Sequence, residues 1–194
     1  FIFPTAFIGA HVEIGKNYVL IINSNAGLWG YNLGDTIKFV STNPYRIQVT
    51  GRVRHFISAF GEHVIAEEVD EALMKAAEEK NVKVVEFTVA PKVQNIDGKS
   101  YHEWFIEFEK EPASVLSFAS SLDLALRKRN AYYEDLVGGN ILQPLHITKI
   151  EKNGFLEYMR AAGKLGGQNK VARLSNNRNI ADQLQNFKSV ATAP

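Results

Sequence analysis

Two lysines on a glycine-rich stretch are the first residues whose types and spacing could do chemistry. Gly163-Lys164-Leu165-Gly166-Gly167-Gln168-Asn169-Lys170 sets them on a tether, from which an ammonium could reach a phosphate. The spacing is not that of the phosphate-binding loop G-x-x-x-x-G-K-[ST]. By spacing alone the stretch reads as a helix C-cap followed by a connector. Asp35, in Tyr31-Asn32-Leu33-Gly34-Asp35-Thr36, is the second candidate. A carboxylate between two strands either caps a turn or accepts hydrogen bonds from the two vicinal hydroxyls of a ribose. Arg52 and Arg54, in Gly51-Arg52-Val53-Arg54-His55-Phe56, are either solvated linker, or groups that contact a nucleotide or line a hinge.

Other chemistries are poorly supplied. There are no cysteines, which removes disulfides, thiolate metal sites and thiol nucleophiles. His11, His55, His63, His102 and His146 form no HExxH or H-x-H pattern, so scattered surface or strand positions are expected rather than a metal site. Ser24, Ser58, Ser117 and Ser120 lack a G-x-S-x-G setting. The pairs Glu67–Glu68 and Glu78–Glu79 read as a solvated helix face. Lysine plus arginine number 22 against 21 aspartates plus glutamates, and this balance argues against a nucleic-acid-binding module. The longest apolar runs are too short to span a bilayer, and no secretory leader is visible. A cytoplasmic protein with no membrane or nucleic-acid partner is the expectation.

The elements that must position these residues change character near Gly51. Before it, Ala6–Ile14, Tyr18–Ile22, Thr36–Val40 and Arg46–Thr50 read as short strands closed by turn residues. After it, helices and strands alternate. Ala66–Lys80 carries Val69, Leu73 and Ala76 at helical spacing, with acids in its first turn. Val85, Phe87 and Val89 alternate with Glu86 and Thr88, which predicts a strand with one wet face. An Asp-Gly turn within Asn95–Lys99 returns the chain to a strand of Trp104, Ile106 and Phe108, with Glu103 and Glu107 outward. Pro112 is expected to open a helix striped by Val115, Phe118, Leu122 and Leu126 and closed by Arg127, Lys128 and Arg129. Leu145–Ile150 reads as a last strand, and helices around Gly154–Ala162 and Asn177–Phe187 follow. The order is the split βαβ of a ferredoxin-like α/β sandwich, preceded by a β-rich remnant of a larger domain. The expected division is 1–52 and 53–194. The chain opens on Phe1 and is expected to be a fragment of a longer protein.

In their order, "YNLGDTIKFV", "VTGRVRHFISAFGEHVIAEEVDEAL" and "GGQNKVARLSNNRNIADQL" resemble the C-terminal part of the acyl-adenylate-forming superfamily. Within it the chain is similar to the auxin-responsive acyl acid amido synthetase family in its bacterial form. The resemblance implies an enzyme that uses ATP, with Mg2+, to turn a carboxylic acid into an acyl-AMP and then passes the acyl group to an amino acid. It implies that Asp35, with Tyr31 beside it, holds the ribose of ATP or AMP, and that Arg52 assists near the ribose and phosphate. Arg54 would lie at the hinge of a mobile C-terminal domain. Lys170 would be the catalytic lysine that reaches the α-phosphate during adenylation.

Two positions depart from the family pattern. Ala172 stands where a proline usually follows the lysine, and Gly30 where an arginine usually precedes the tyrosine. Nothing in the chain resembles the superfamily's phosphate loop or acyl pocket, so the fragment alone is expected to be inactive, needing the N-terminal domain of its own parent chain. The competing expectation is a non-catalytic ferredoxin-like ligand-binding or interaction module.

Overall fold

The computed structural model describes residues 12–52, 56–93, 100–166 and 169–189. The chain divides into two compact units, Phe1–Arg54 and His55–Pro194. In the first, β1 (Asn17–Ile22), β2 (Tyr31–Thr42) and β3 (Tyr45–Arg52) form an antiparallel sheet in that order. Alternation of Tyr18, Leu20 and Ile22 with Val19 and Ile21 gives β1 its half-buried face. The ladder is pinned at the Thr50 hydroxyl, 2.8 Å from Asn17 Oδ1 and 3.1 Å from Thr36 Oγ1. The strand predicted at Thr36–Val40 begins earlier. Tyr31–Thr36 lies within β2, and the expected break before Asp35 is only a kink, with Gly34 at φ +79°. The expected strand Ala6–Ile14 falls mostly outside the described residues.

The second unit begins with a two-residue hairpin, β4 (Phe56–Ile57) and β5 (Val64–Ile65). Helix α1 (Ala66–Lys80) follows, as its periodicity predicts, burying Val69, Ala72, Leu73 and Ala76. Strands β6 (Lys83–Lys92) and β7 (Tyr101–Lys110) pair antiparallel; the predicted Asp-Gly turn between them lies outside the described residues. Helix α2 (Val115–Arg127) starts at Ser114, whose side chain accepts the Ser117 N–H, and not at Pro112. After α3 (Ala131–Gly138), β8 (His146–Ile150) joins β7 in parallel. The order from β5 to β8 is thus β-α-β-β-α-α-β, the chain order expected with one inserted helix, but β5 pairs with β4 alone and the main sheet has three strands in the order β6-β7-β8. Helices α4 (Gly154–Ala161) and α5 (Asn179–Leu184) and a 3-10 turn (Gln185–Phe187) complete the chain.

Both faces of the β6-β7-β8 sheet are covered, which overturns the expected wet face. Phe87, Val89, Trp104 and Ile106 pack against α1 and α2 in one core. Ala90, Phe105 and Ile150 pack against Phe155, Tyr158, Ala181 and Leu184 in a second. Thr88 is therefore buried and donates its hydroxyl to the Ala172 carbonyl at 2.6 Å. Glu103 and Glu107, expected outward, are also buried. Burial of a carboxylate is tolerated only when its oxygens are partnered. Glu103 accepts from Thr148 (2.6 Å), Arg178 (2.7 Å) and Gln185 (3.2 Å). Glu107 accepts the backbone N–H groups of Asn153 (2.7 Å) and Phe155 (3.2 Å), at the positive end of α4. Later backbone also touches each outer strand at one point: residue 174 bridges Val89 in parallel, and Lys188 bridges Ile150.

Candidate functional site

Unit Phe1–Arg54 carries Tyr31, Asp35 and Arg52 on adjacent strands. Asp35 of β2 stands opposite Arg52 of β3 in the ladder. A register shift follows at once, between Thr36 and Ile37, and such bulges re-aim neighbouring side chains. The approach to Asp35 is shaped by Asn32, whose Oδ1 accepts the Gly34 N–H at 2.8 Å. Asp35 is half-buried and lies within β2, where the sequence suggested a junction between two strands. Tyr31 begins the same strand and is exposed. Asp35 and Arg52 are thus paired backbone positions of one ladder, with Tyr31 four residues upstream of Asp35 in the same strand. Arg54 lies outside the described residues.

Lys170 belongs to the other unit and is exposed. Its tether leaves α4 through a left-handed Gly163 (φ +65°), where the Lys164 N–H donates to the Met159 carbonyl at 2.9 Å. Gly166 (φ +95°) is a second left-handed position, a conformation that costs glycine little. Lys170 and Lys164 then meet along an open groove of about 430 Å³, floored by Phe155, Met159 and Val171 and bordered by Glu86 and Glu107. Downstream of Lys170 the chain is clamped. Val171 and Leu174 are buried. The Arg173 carbonyl accepts the Val89 N–H at 2.9 Å, and the Val89 carbonyl accepts the Ser175 N–H at 3.1 Å.

Arg173 adds a side-chain clamp that sequence reasoning missed. Its guanidinium lies 4.5 Å above the Phe87 ring, donates to Glu86, and reaches 3.7 Å from Asp70. Burial raises the Asp70 carboxyl above its ordinary value, the Arg173 charge opposes that rise, and the Glu86 charge adds to it. Glu86 and Asp70 come from β6 and α1, and no local spacing links them to position 173.

A buried pair was missed as well. His102 Nε2 is 2.8 Å from Glu62 Oε1, and the Glu62 Oε2 accepts the Phe60 N–H at 2.8 Å. The imidazole stacks against Phe60 and Tyr133. The Tyr133 hydroxyl donates to Asp123 at 2.7 Å. Glu62 and His102 are both sealed from solvent, so they serve packing and not ligand contact. Of the carboxylates expected on a solvated face, Glu68 instead accepts from the Ile65 N–H and from Asn130, tying α1 to the start of α3. Among the described residues no cluster of three or more His, Asp or Glu side chains is arranged to hold a metal ion, and no helix is long and apolar enough to cross a membrane.

Comparison with known proteins gives concordant findings. Residues 67–179 match the model of the GH3 family C-terminal domain, and residues 4–52 match that of the GH3 family central domain. The chain is 26% identical over 177 residues to indole-3-acetic acid-amido synthetase GH3.3 of Arabidopsis thaliana, a match covering 84% of this chain and 29% of that protein. It is 27% identical to jasmonoyl–L-amino acid synthetase GH3.5 of Oryza sativa subsp. japonica, covering 87% of this chain and 30% of that one. Its fold is that of a solved GH3.15 acyl acid amido synthetase, with a TM-score of 0.74 at 17% identity over 93% of this chain and 34% of the other. The chain spans about a third of the length of the proteins it matches.

Proposed function

We propose, from the premise that this chain belongs to the GH3 family, that it is the C-terminal portion of an ATP-dependent enzyme that joins a carboxylic acid to an amino acid through an acyl-AMP. The observation that carries the reading is the placement of Lys170. It is an exposed ammonium with a glycine tether on one side and a clamped edge segment on the other. That design lets a positive charge be presented to an anion from a defined anchor. In the adenylation half-reaction the carboxylate of the acid attacks the α-phosphorus of ATP and pyrophosphate leaves. Negative charge builds on the phosphoryl oxygens as it does so, and an ammonium there stabilises the transition state. Lys170 is the catalytic residue of this step.

Asp35 is assigned to the ribose, where its carboxylate accepts from both hydroxyls. Charge-assisted bonds of that kind are each worth about 1.5–3 kcal/mol. Arg52, opposite it in the ladder, supplies positive charge near the ribose and phosphate, and Tyr31 lies beside them. Arg54 is assigned to the hinge between the units. ATP supplies the activating phosphoanhydride. Magnesium would travel with its phosphates, whose oxygens suit a hard cation. The reaction is assigned to the cytoplasm.

The test is Lys170→Ala in the full-length protein, with the two half-reactions timed separately by rapid quench. Acyl-AMP formation should fall by about two to three orders of magnitude, the scale of losing one electrostatic stabiliser. Conjugation from supplied acyl-AMP should stay near the wild-type rate. Absence of ATP-dependent adenylation in the wild-type parent would favour a non-catalytic binding module instead.

A further inference from the structure

Lys170 needs an origin as well as a charge. A lysine on a glycine tether explores many positions, and each rotamer lost on binding has an entropic cost. The amine is useful only if something fixes where its side chain starts. Among the described residues N-terminal to it in the tether, Gly163 and Gly166 are left-handed and Lys164 and Leu165 are exposed. Everything C-terminal to it is held. The Ala172 carbonyl accepts from the Thr88 hydroxyl, the Arg173 carbonyl from the Val89 N–H, and Leu174 is sealed in the core. Three residues of extended chain span only about 10 Å, so the position of residue 173 confines that of Lys170.

We infer that Arg173 is a positioning residue for adenylation, holding the segment that carries Lys170 against β6 and α1 through Glu86, Asp70 and the Phe87 ring. The inference rests on the reading of Lys170 given above. Three contacts of different kinds converge on one guanidinium: a hydrogen-bonded ion pair to Glu86, a second carboxylate at 3.7 Å on α1, and a ring 4.5 Å below it. The planar fork of arginine suits this combination, because it can pair with a carboxylate while its face rests on an aromatic ring. Two acids facing one cation also leave a net negative surround, so removing the arginine would leave Glu86 and Asp70 repelling each other beside the segment. The Arg173 side chain remains 40% exposed, which is more than a purely core-building residue would show. Its pairing therefore adds little to global stability while fixing a local geometry.

The experiment is a double-mutant cycle in the full-length protein, using Arg173→Met, Arg173→Lys and Lys170→Ala, with adenylation and conjugation timed separately. Arg173→Met keeps an apolar stem over Phe87 and removes the charge. It should lower kcat for acyl-AMP formation by about tenfold to a hundredfold, the scale of a misplacement near 1 Å. KM for ATP should stay within about twofold, because the nucleotide's contacts with Asp35 are untouched. Arg173→Lys should recover part of the loss, and conjugation from supplied acyl-AMP should be unaffected. In the Lys170→Ala background Arg173→Met should cost nothing further, since there is no ammonium left to place. If Arg173→Met fails to fold, Arg173→Lys and Glu86→Gln are read through the same cycle. Unchanged adenylation, equal loss in both half-reactions, or an additive loss on top of Lys170→Ala would each overturn the inference while leaving the assignment of Lys170 intact. If Lys170→Ala itself leaves adenylation unchanged, the assignment and the inference fall together.

Discussion

Glu62 shows what a single buried carboxylate contributes when its partner is forty positions away. Burial alone would push its ionisation up, yet the His102 hydrogen bond and charge, with the Phe60 and Glu62 backbone N–H groups, bring it below the ordinary carboxylate value of 4.5. A folded-state value lower than the unfolded one means the native state holds the proton less tightly. Its stabilisation is therefore complete above the unfolded value and is lost as pH falls through the depressed one. Glu62→Gln should cost about 1.5–3 kcal/mol at pH 7, the scale of hydrogen bonds to a charged group. The gap from wild type should narrow steadily as pH drops below 4.5. Urea denaturation of both proteins at pH 7, 5 and 4 measures it. A gap that stays constant across that range would mean that packing of Phe60 and Tyr133 around the ring, and not ionisation of Glu62, sets the cost.

At the scale of elements, the tight junction between β8 and α4 depends on Gly154. A Cβ there would sit 2.4 Å from Ile150 Cγ2 and 3.1 Å from Phe187 Cβ. Alanine is the better helix former by about 1 kcal/mol, but overlap with two packed neighbours outweighs that gain. Gly154→Ala should destabilise the protein by about 1–3 kcal/mol, visible as a lowered urea midpoint with unchanged slope. A raised midpoint would show that β8 and the 3-10 turn yield easily.

The elements differ in how far local pattern revealed them. Helix α1 was legible because four buried residues fall at i, i+3, i+4 and i+7 and Asn81 closes it in the left-handed conformation. Helix α3 was missed because its eight residues bury only Tyr133, which leaves no stripe to detect. Strand β7 was placed correctly but its outward acids were not, because alternation cannot tell water from a second layer. What makes Glu103 and Glu107 internal is the N-terminus of α4 and the Arg178, Thr148 and Gln185 side chains, all supplied later in the chain. The candidate site divides in the same way. Tyr31, Asp35, Arg52, Arg54 and Lys170 were marked by motifs that keep their order. Arg173 was invisible because its meaning lies in Glu86, Asp70 and Phe87, which only the fold brings to it.

For the molecule as a whole, the two units differ sharply in what they bury for themselves. His55–Pro194 builds a core on each face of one sheet, anchored by Trp104, Phe105, Phe118 and Tyr133, all fully buried. Its backbone also bridges each outer strand once, Val89 by residue 174 and Ile150 by Lys188. Phe1–Arg54 places three strands in one sheet, where Ile37 is the sole fully buried large apolar side chain among its described residues. Val49 is 63% exposed and Ile47 48%. A three-stranded sheet needs an apolar face packed on something to be stable by itself, and chains of this length bury too small a fraction of their surface to have margin. His55–Pro194 produced alone should therefore unfold in one cooperative transition. Its midpoint should lie within a few degrees of the main transition of the complete chain. Phe1–Arg54 produced alone should show no cooperative transition by circular dichroism. Scanning the three proteins under identical conditions decides the matter. A cooperative melt from Phe1–Arg54 would show that its sheet is self-sufficient despite its exposed apolar residues. A non-cooperative His55–Pro194 would show that its two cores do not suffice and that its stability is borrowed from the preceding residues.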